Sequence, residues 1–154
     1  MKLDYLIRED GTAVITGIPE PEAVMALPSS IDGCPVTEIG TDMISLGKKS
    51  IAREIILPET VIKISEKAFC DLRYLKKLSI PDSVREISDF AIFTCPDLVE
   101  LHIPSSVTII GQYAFGYMYE HARAYKLNYF TLLCEKGSAA EKFAIDNGIK
   151  YCSI

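Results

Sequence analysis

The chain has no tryptophan, only two histidines (His102 and His121), and no Cys-x-x-Cys pair among its five cysteines. Each shortage excludes something. A structural zinc site wants four clustered ligands at short spacing, and neither the histidines nor the scattered Cys34, Cys70, Cys95, Cys134 and Cys152 offer them. No metal and no cofactor is therefore expected. The odd cysteine count rules out a complete disulfide framework and makes a reducing compartment the simpler reading. No apolar run approaches the ~20 residues that span a bilayer, so membrane insertion is not expected. Lys and Arg number 16 against 21 Asp and Glu, a net charge of -5 with no basic run, which is the wrong sign for a nucleic-acid reader. Asn128 and Asn147 are the only asparagines, and neither stands in an Asn-x-Ser/Thr sequence.

Catalytic motifs are equally scarce. No Gly-x-Ser-x-Gly, Gly-x-Gly-x-x-Gly or His-Glu-x-x-His occurs. Gly47-Lys48-Lys49-Ser50 resembles part of a phosphate loop. However, Asp42 stands where the earlier glycine belongs, and Lys49 where Ser or Thr should follow the lysine. The amino-terminal run from Met1 to Asp10 has neither a continuous apolar segment nor a small-residue cleavage site. A cytoplasmic location is the expectation from this sequence as it stands. What remains is an ordinary globular composition: 154 residues, 49% hydrophobic and 24% charged, enough for one domain with a real core.

The dominant signal is internal repetition. Leu57-Pro58-Glu59-Thr60-Val61 returns as Ile80-Pro81-Asp82-Ser83-Val84 and as Ile103-Pro104-Ser105-Ser106-Val107, at a step of 23 residues. Ile64-Ser65-Glu66-Lys67-Ala68-Phe69 travels with it, as Ile87 to Ile92 and Ile110 to Phe115. A looser copy begins at Leu27-Pro28-Ser29-Ser30-Ile31, and its Ile39 lies 25 residues before Ile64. Before each proline stand apolar residues two apart (Leu78 and Ile80, Leu101 and Ile103, Ile55 and Leu57), which point to one face of a short strand. A single such strand cannot bury that face alone, whereas stacked copies form a parallel sheet over a shared core. Proline removes a ladder donor and stops the strand. The pairs Val61/Ile64, Val84/Ile87 and Val107/Ile110 return along the other side, and the small residue that follows is expected to start one helical turn. The result is a leucine-rich-repeat solenoid of four or so turns. It is strand-rich and horseshoe-like, with a parallel sheet of short strands and one helical turn per repeat. Leu57-Pro58-Glu59-Thr60 is also close to a wall-sorting signal, but Val61 replaces the required glycine and the segment is the repeat's own turn.

This pattern resembles the BspA-type bacterial leucine-rich repeats, most fully over residues 80–103, with Cys95 at the family's cysteine position. Leu72 takes that position one repeat earlier, and Ile92 replaces the phenylalanine. The resemblance extends to Asp10–Gly17 and Gly137–Lys142. It implies the solenoid fold and a role in surface adhesion or protein–protein binding, which places a secreted or cell-surface location beside the cytoplasmic one.

The expected organisation is a single domain over residues 1–154. It has an amino-terminal cap at 1–26, repeats at 27–115, an irregular last repeat at 116–134 and a helical cap at 135–154. Asp10-Gly11 between apolar runs predicts a hairpin. Ser138-x-x-Glu141 predicts a capping box, with Ala140, Phe143 and Ala144 on one helical face and Asn147-Gly148 as its stop. This helix should lie over the open end of the core. Within 116–134, Phe130-Thr131-Leu132 comes about six residues late, and Met118, Ala122 and Tyr125 at i, i+4, i+7 predict a short extra helix. Its aromatics are read as packing against the cap, with a binding knob as the alternative.

The outward strand positions align across repeats: Glu54 and Ile56, Lys77 and Ser79, Glu100 and His102, then Tyr129 and Thr131. They form the candidate partner-binding face of a non-enzymatic interaction or adhesion module whose partner is a protein. Two alternatives stand beside it. One is a self-associating structural protein. The other is an enzyme with a site near 116–129 that uses His121, Glu120 and a tyrosine. Cys95 falls in an interior slot and reads as a small hydrophobe, while Cys34 follows Gly33 in a turn.

Overall fold

The computed structural model describes residues 1–42 and 51–154. The segment Gly47–Ser50, and Met43 and Ile44 of the loosest repeat copy, lie outside the described residues. The chain opens with β1 (Asp4–Ile7), β2 (Ala13–Gly17), β3 (Val24–Ala26), β4 (Ser30–Ile31) and β5 (Cys34–Ile39). The repeats follow as β6 (Glu54–Ile56), β7 (Lys63–Ile64), β8 (Lys77–Ser79), β9 (Glu86–Ile87), β10 (Glu100–His102) and β11 (Ile109–Ile110). The chain closes with β12 (Tyr117–Glu120), β13 (Arg123–Lys126), β14 (Thr131–Cys134), α1 (Ala139–Asn147) and β15 (Lys150–Ser153).

These strands wind into a coil with two sheet-bearing sides. The back runs β1-β2-β5-β7-β9-β11, and the front carries β3-β6-β8 and β10-β14-β15. The register follows the repeat step: Ile55 lies beside Leu78 and Ile64 beside Ile87, all in parallel. The two-residue insertion of the looser copy is absorbed without loss of register, since Ile39 lies beside Ile64. The front strands β3, β6, β8 and β10 each end two residues before a proline (Pro28, Pro58, Pro81 and Pro104). The chain then reverses through a turn in which Val61, Val84 and Val107 donate their N–H groups to Pro58, Pro81 and Pro104, each at 3.1 Å.

The interior is one cluster that includes Leu78, Leu101 and Ile87, with Ile110 packed against it. Phe69, Ile92 and Phe115 occupy one slot in successive turns and are all buried, as are Leu72 and Cys95 in theirs. Full burial of such a side chain contributes roughly 1.5–3 kcal/mol, so the repeat pays for its own stacking.

Three local expectations are corrected. First, the front side has six strands among the described residues, which makes about six turns rather than four or so: β3 leads into the looser copy at Leu27-Pro28, β14 belongs to the irregular last repeat, and β15 follows the cap helix. Second, the predicted helical turn after Ile64, Ile87 and Ile110 is a chain of turns. Lys67, Phe90 and Tyr113 adopt φ of +56°, +56° and +52°, and Asp71 and Thr94 adopt +62° and +59°. A right-handed helix does not admit these angles. Each costs a non-glycine residue about 1 kcal/mol, offset by bonds between turns: Phe69 N–H to Ala91 O and Ile92 N–H to Ala114 O, both 2.7 Å. Third, the extra helix is a hairpin, β12 paired antiparallel with β13. His121 and Ala122 at its tip have φ of +50° and +62°, matching the mirror-image turn that suits strand twist.

Both ends carry the cap elements predicted, a hairpin and a helix. Asp10 Oδ1 accepts from Thr12 N–H (2.9 Å) and Thr12 hydroxyl (2.7 Å) in the β1–β2 turn, which holds its carboxyl below the usual range. At the other end the Ser138 hydroxyl accepts from Glu141 N–H (3.2 Å), and Gly148 ends the helix at φ +62°. Ala140 and Ala144 are buried beneath α1, and the Phe143 ring lies 4.8 Å from Phe115.

Candidate interaction surface

The front sheet presents its outward side chains in two rows. In the first row Glu54 stands beside Lys77, with Nζ 2.8 Å from Oε1. In the second, Ile56 stands beside Ser79 and remains 39% exposed, an uncovered apolar group on a polar face.

Between β8 and β10 the front ladder is interrupted. The two strands are edges of separate sheets, whereas β9 and β11 remain paired behind them. The interruption leaves a cleft of about 260 Å³ walled by Lys77, Ser79, Glu100 and His102, with Leu78, Ile80 and Leu133 also lining it. Four of the eight predicted site residues therefore converge on one feature. Glu54 and Ile56 lie on the adjoining strand β6.

Beyond the cleft the predicted alignment is corrected. Glu100 pairs with Thr131 and His102 with Leu133, so the last repeat is 31 residues long, eight beyond the usual step. Tyr129 is not a strand residue; it sits in the preceding turn and donates its hydroxyl to Pro96 O at 3.0 Å. The error was two residues, and side chains alternate with a period of two. Thr131 therefore stays on the outward face and Leu132 is buried, as expected. The first row continues into Lys150 and the second into Cys152. Along the first row the charges alternate: Glu54, Lys77, Glu100, then Thr131 and Lys150.

The other residues of interest are dispersed. Glu120 and His121 sit at the hairpin tip, 3.9 Å apart, with His121 90% exposed and Tyr125 donating its hydroxyl to Glu120 (2.9 Å). Neither lines the cleft between β8 and β10. Tyr117 takes the packing role expected of the aromatic stripe: it is buried, and its hydroxyl donates to Asn147 of α1 (3.2 Å). Tyr119 and Tyr125 stay exposed. All five cysteines are free. Cys95 is interior, with its thiol donating to Phe69 O (3.2 Å), and burial pushes that thiol well above its ordinary range. Cys34 is half-buried in its turn.

One group of residues was invisible to sequence reasoning. Lys67, Phe90 and Tyr113 occupy one repeat slot, and their left-handed backbones stack them on the flank of the coil; Phe90 and Tyr113 are parallel-stacked at 5.4 Å. The only signal was that this slot, unlike the apolar slots beside it, holds three different residue types.

Among the described residues no helix is long and apolar enough to cross a membrane. No curated protein matches the chain. Solved structures do. The chain is similar to a leucine-rich repeat protein of T. pallidum at 24% identity and a TM-score of 0.63, covering 85% of this chain and 68% of that one. It is similar to a leucine-rich repeat protein of Bacteroides capillosus at 24% identity and a TM-score of 0.64, covering 75% and 91%. A third, from Bacteroides ovatus, is 24% identical with a TM-score of 0.59, covering 88% of this chain but 41% of its own. At these identities the likeness concerns the fold. The BspA type leucine rich repeat region is matched in 6 copies over residues 45–136, more than half of the chain. With the 23-residue register, the paired sheets and the buried repeat slots already established, the chain belongs to the BspA-type leucine-rich repeat family.

Proposed function

We propose that the chain is a non-enzymatic interaction or adhesion module and that it docks a protein partner on the front sheet. Family membership supports protein interaction in general. The observation that carries the finer reading is the convergence of Lys77, Ser79, Glu100 and His102 on the interrupted ladder between β8 and β10. Strand edges there carry N–H and C=O groups outside any ladder, which an incoming chain can meet with its own polar groups. The alternating charges of the first row select for a partner of matching alternation, since like charges brought together are rejected. The strands hold these groups on a fixed grid, so little conformational entropy is lost on binding.

The test is capture from lysate with three proteins: wild type, Lys77→Glu/Glu100→Lys, and Lys63→Glu/Glu86→Lys on the back sheet. A protein retained by wild type and the back-sheet variant but lost with the front variant supports the reading. Equal capture by all three overturns it. A second reading, self-association, draws on β15, whose four residues are all exposed at one end of the front sheet. Sedimentation at two concentrations decides it.

A further inference from the structure

On the flank of the coil, away from the front sheet, lies a larger cleft of about 680 Å³. That size falls within the few hundred to ~1,000 Å³ typical of small-molecule sites, and its walls are of the same kind: aromatic, with few polar groups. Phe90 and Tyr113 form a stacked pair at 5.4 Å, Phe93 meets Phe90 edge-on at 5.2 Å, and Tyr119 of the β12–β13 hairpin also lines the cleft. Tyr113 and Tyr119 are 39% and 54% exposed, so ring surface that the core does not use faces solvent here.

The backbone is arranged for this placement. Five lining residues (Lys67, Asp71, Phe90, Thr94 and Tyr113) have left-handed φ although none is glycine. Conformations of this cost persist where surrounding structure enforces them and cluster at binding sites. Here the bonds between turns enforce them, among them Phe90 N–H to Gln112 O and Asp71 N–H to Phe93 O, both 2.9 Å.

The polar edge is specific. Among the described residues Arg73 meets Asp71 through Nε alone (3.1 Å), which leaves the terminal nitrogens of its guanidinium as donors for the cleft that Arg73 lines. Lys67, 3.6 Å from Glu66, lines the same cleft. A planar guanidinium next to an aromatic wall is matched by a carboxylate attached to a flat apolar group.

We infer that this flank cleft binds an aromatic carboxylate, its ring against the Phe90–Tyr113 stack and its carboxylate on Arg73. The site is separate from the front face, and either can stand without the other. Because the chain has no tryptophan, an indole probe reports its own binding by fluorescence without interference. The experiment compares N-acetyltryptophan, N-acetyltryptophanamide and tryptamine on the full chain. Saturable binding of the anion, about tenfold tighter than the amide, is expected, a gap of the size a charge-assisted hydrogen bond gives. Arg73→Gln should abolish that gap. Tyr113→Gly should weaken anion and amide alike, and glycine accepts the left-handed backbone, so the turn is kept. Tyr119→Ala, at an exposed position, provides the same readout without touching the coil. Absence of saturable binding, equal affinity for all three probes, or a preference that survives Arg73→Gln would overturn the assignment.

Discussion

The ring of Phe143, on the carboxy-terminal helix, lies 4.8 Å from the ring of Phe115, which fills an interior slot of the repeat coil. The helix is thus coupled to the solenoid by the residue type that the repeat itself uses. Beneath it Phe130, Leu132 and Cys134 are buried by the same closure. Open solenoid ends expose apolar surface and strand edges, and a cap removes both.

Deletion of residues 135–154 is therefore expected to give an aggregating protein. Phe143→Ala should remain soluble but lose about 2 kcal/mol, a half-buried version of a core Phe→Ala change. Urea melts and light scattering read the two outcomes. A soluble, cooperatively melting truncation would refute the capping role.

Gly111 begins the turn after β11, where a Cβ would overlap the backbone and carboxylate of Asp89 in the neighbouring turn. Asp89 cannot withdraw freely, because its Oδ1 accepts from Gln112 N–H at 2.8 Å. Gly111→Ala should destabilise by about 1–3 kcal/mol, the usual penalty of overpacking. Ser88 and Ser65 fill the same slot one and two turns earlier, so the demand is local to this turn. A denaturation midpoint equal to wild type would show that the two turns separate easily.

Burial raises the Cys95 thiol above its ordinary value of 9.0. The folded chain then keeps a proton that the unfolded chain releases above about pH 9. The stability associated with this group is complete below 9.0 and declines as pH rises beyond it, by about 1.4 kcal/mol per pH unit. Wild type should lose stability from roughly one unit below 9.0 to one unit above faster than Cys95→Ala does. Parallel slopes in the two proteins would mean that water reaches the thiol.

Much of the coil was legible because the code was simple and redundant. Ile55 and Leu78, like Ile64 and Ile87, recur at a constant step, and that step is the strand register itself. The helical cap was legible for a similar reason, since Ser138 and Gly148 are local signals that act within a few residues of themselves. The hairpin at 117–126 was not. Met118, Ala122 and Tyr125 fit a helical period, yet burial of Tyr117 against Asn147 and the left-handed turn at His121 and Ala122 set a period of two. Tyr129 was misplaced by the same insertion, because eight extra residues leave no internal mark of where pairing resumes.

The candidate sites divide in the same way. The outward identity of Glu54, Lys77, Glu100 and His102 follows from alternation along strands, and alternation is written in neighbouring residues. The missing ladder between β8 and β10 is not, since it depends on how whole turns sit against each other. Nor is the aromatic flank, which exists because Phe90 and Tyr113 take left-handed backbones held by bonds from the next turn. The sequence alone determined which side chains go inside, how often the chain turns back, and which residue stops each strand, because burial and proline act on short, repeated segments. Only the tertiary structure decided where the stack opens and which rings are turned outward, because those depend on contacts between residues 20 or more positions apart, whose geometry no local pattern encodes.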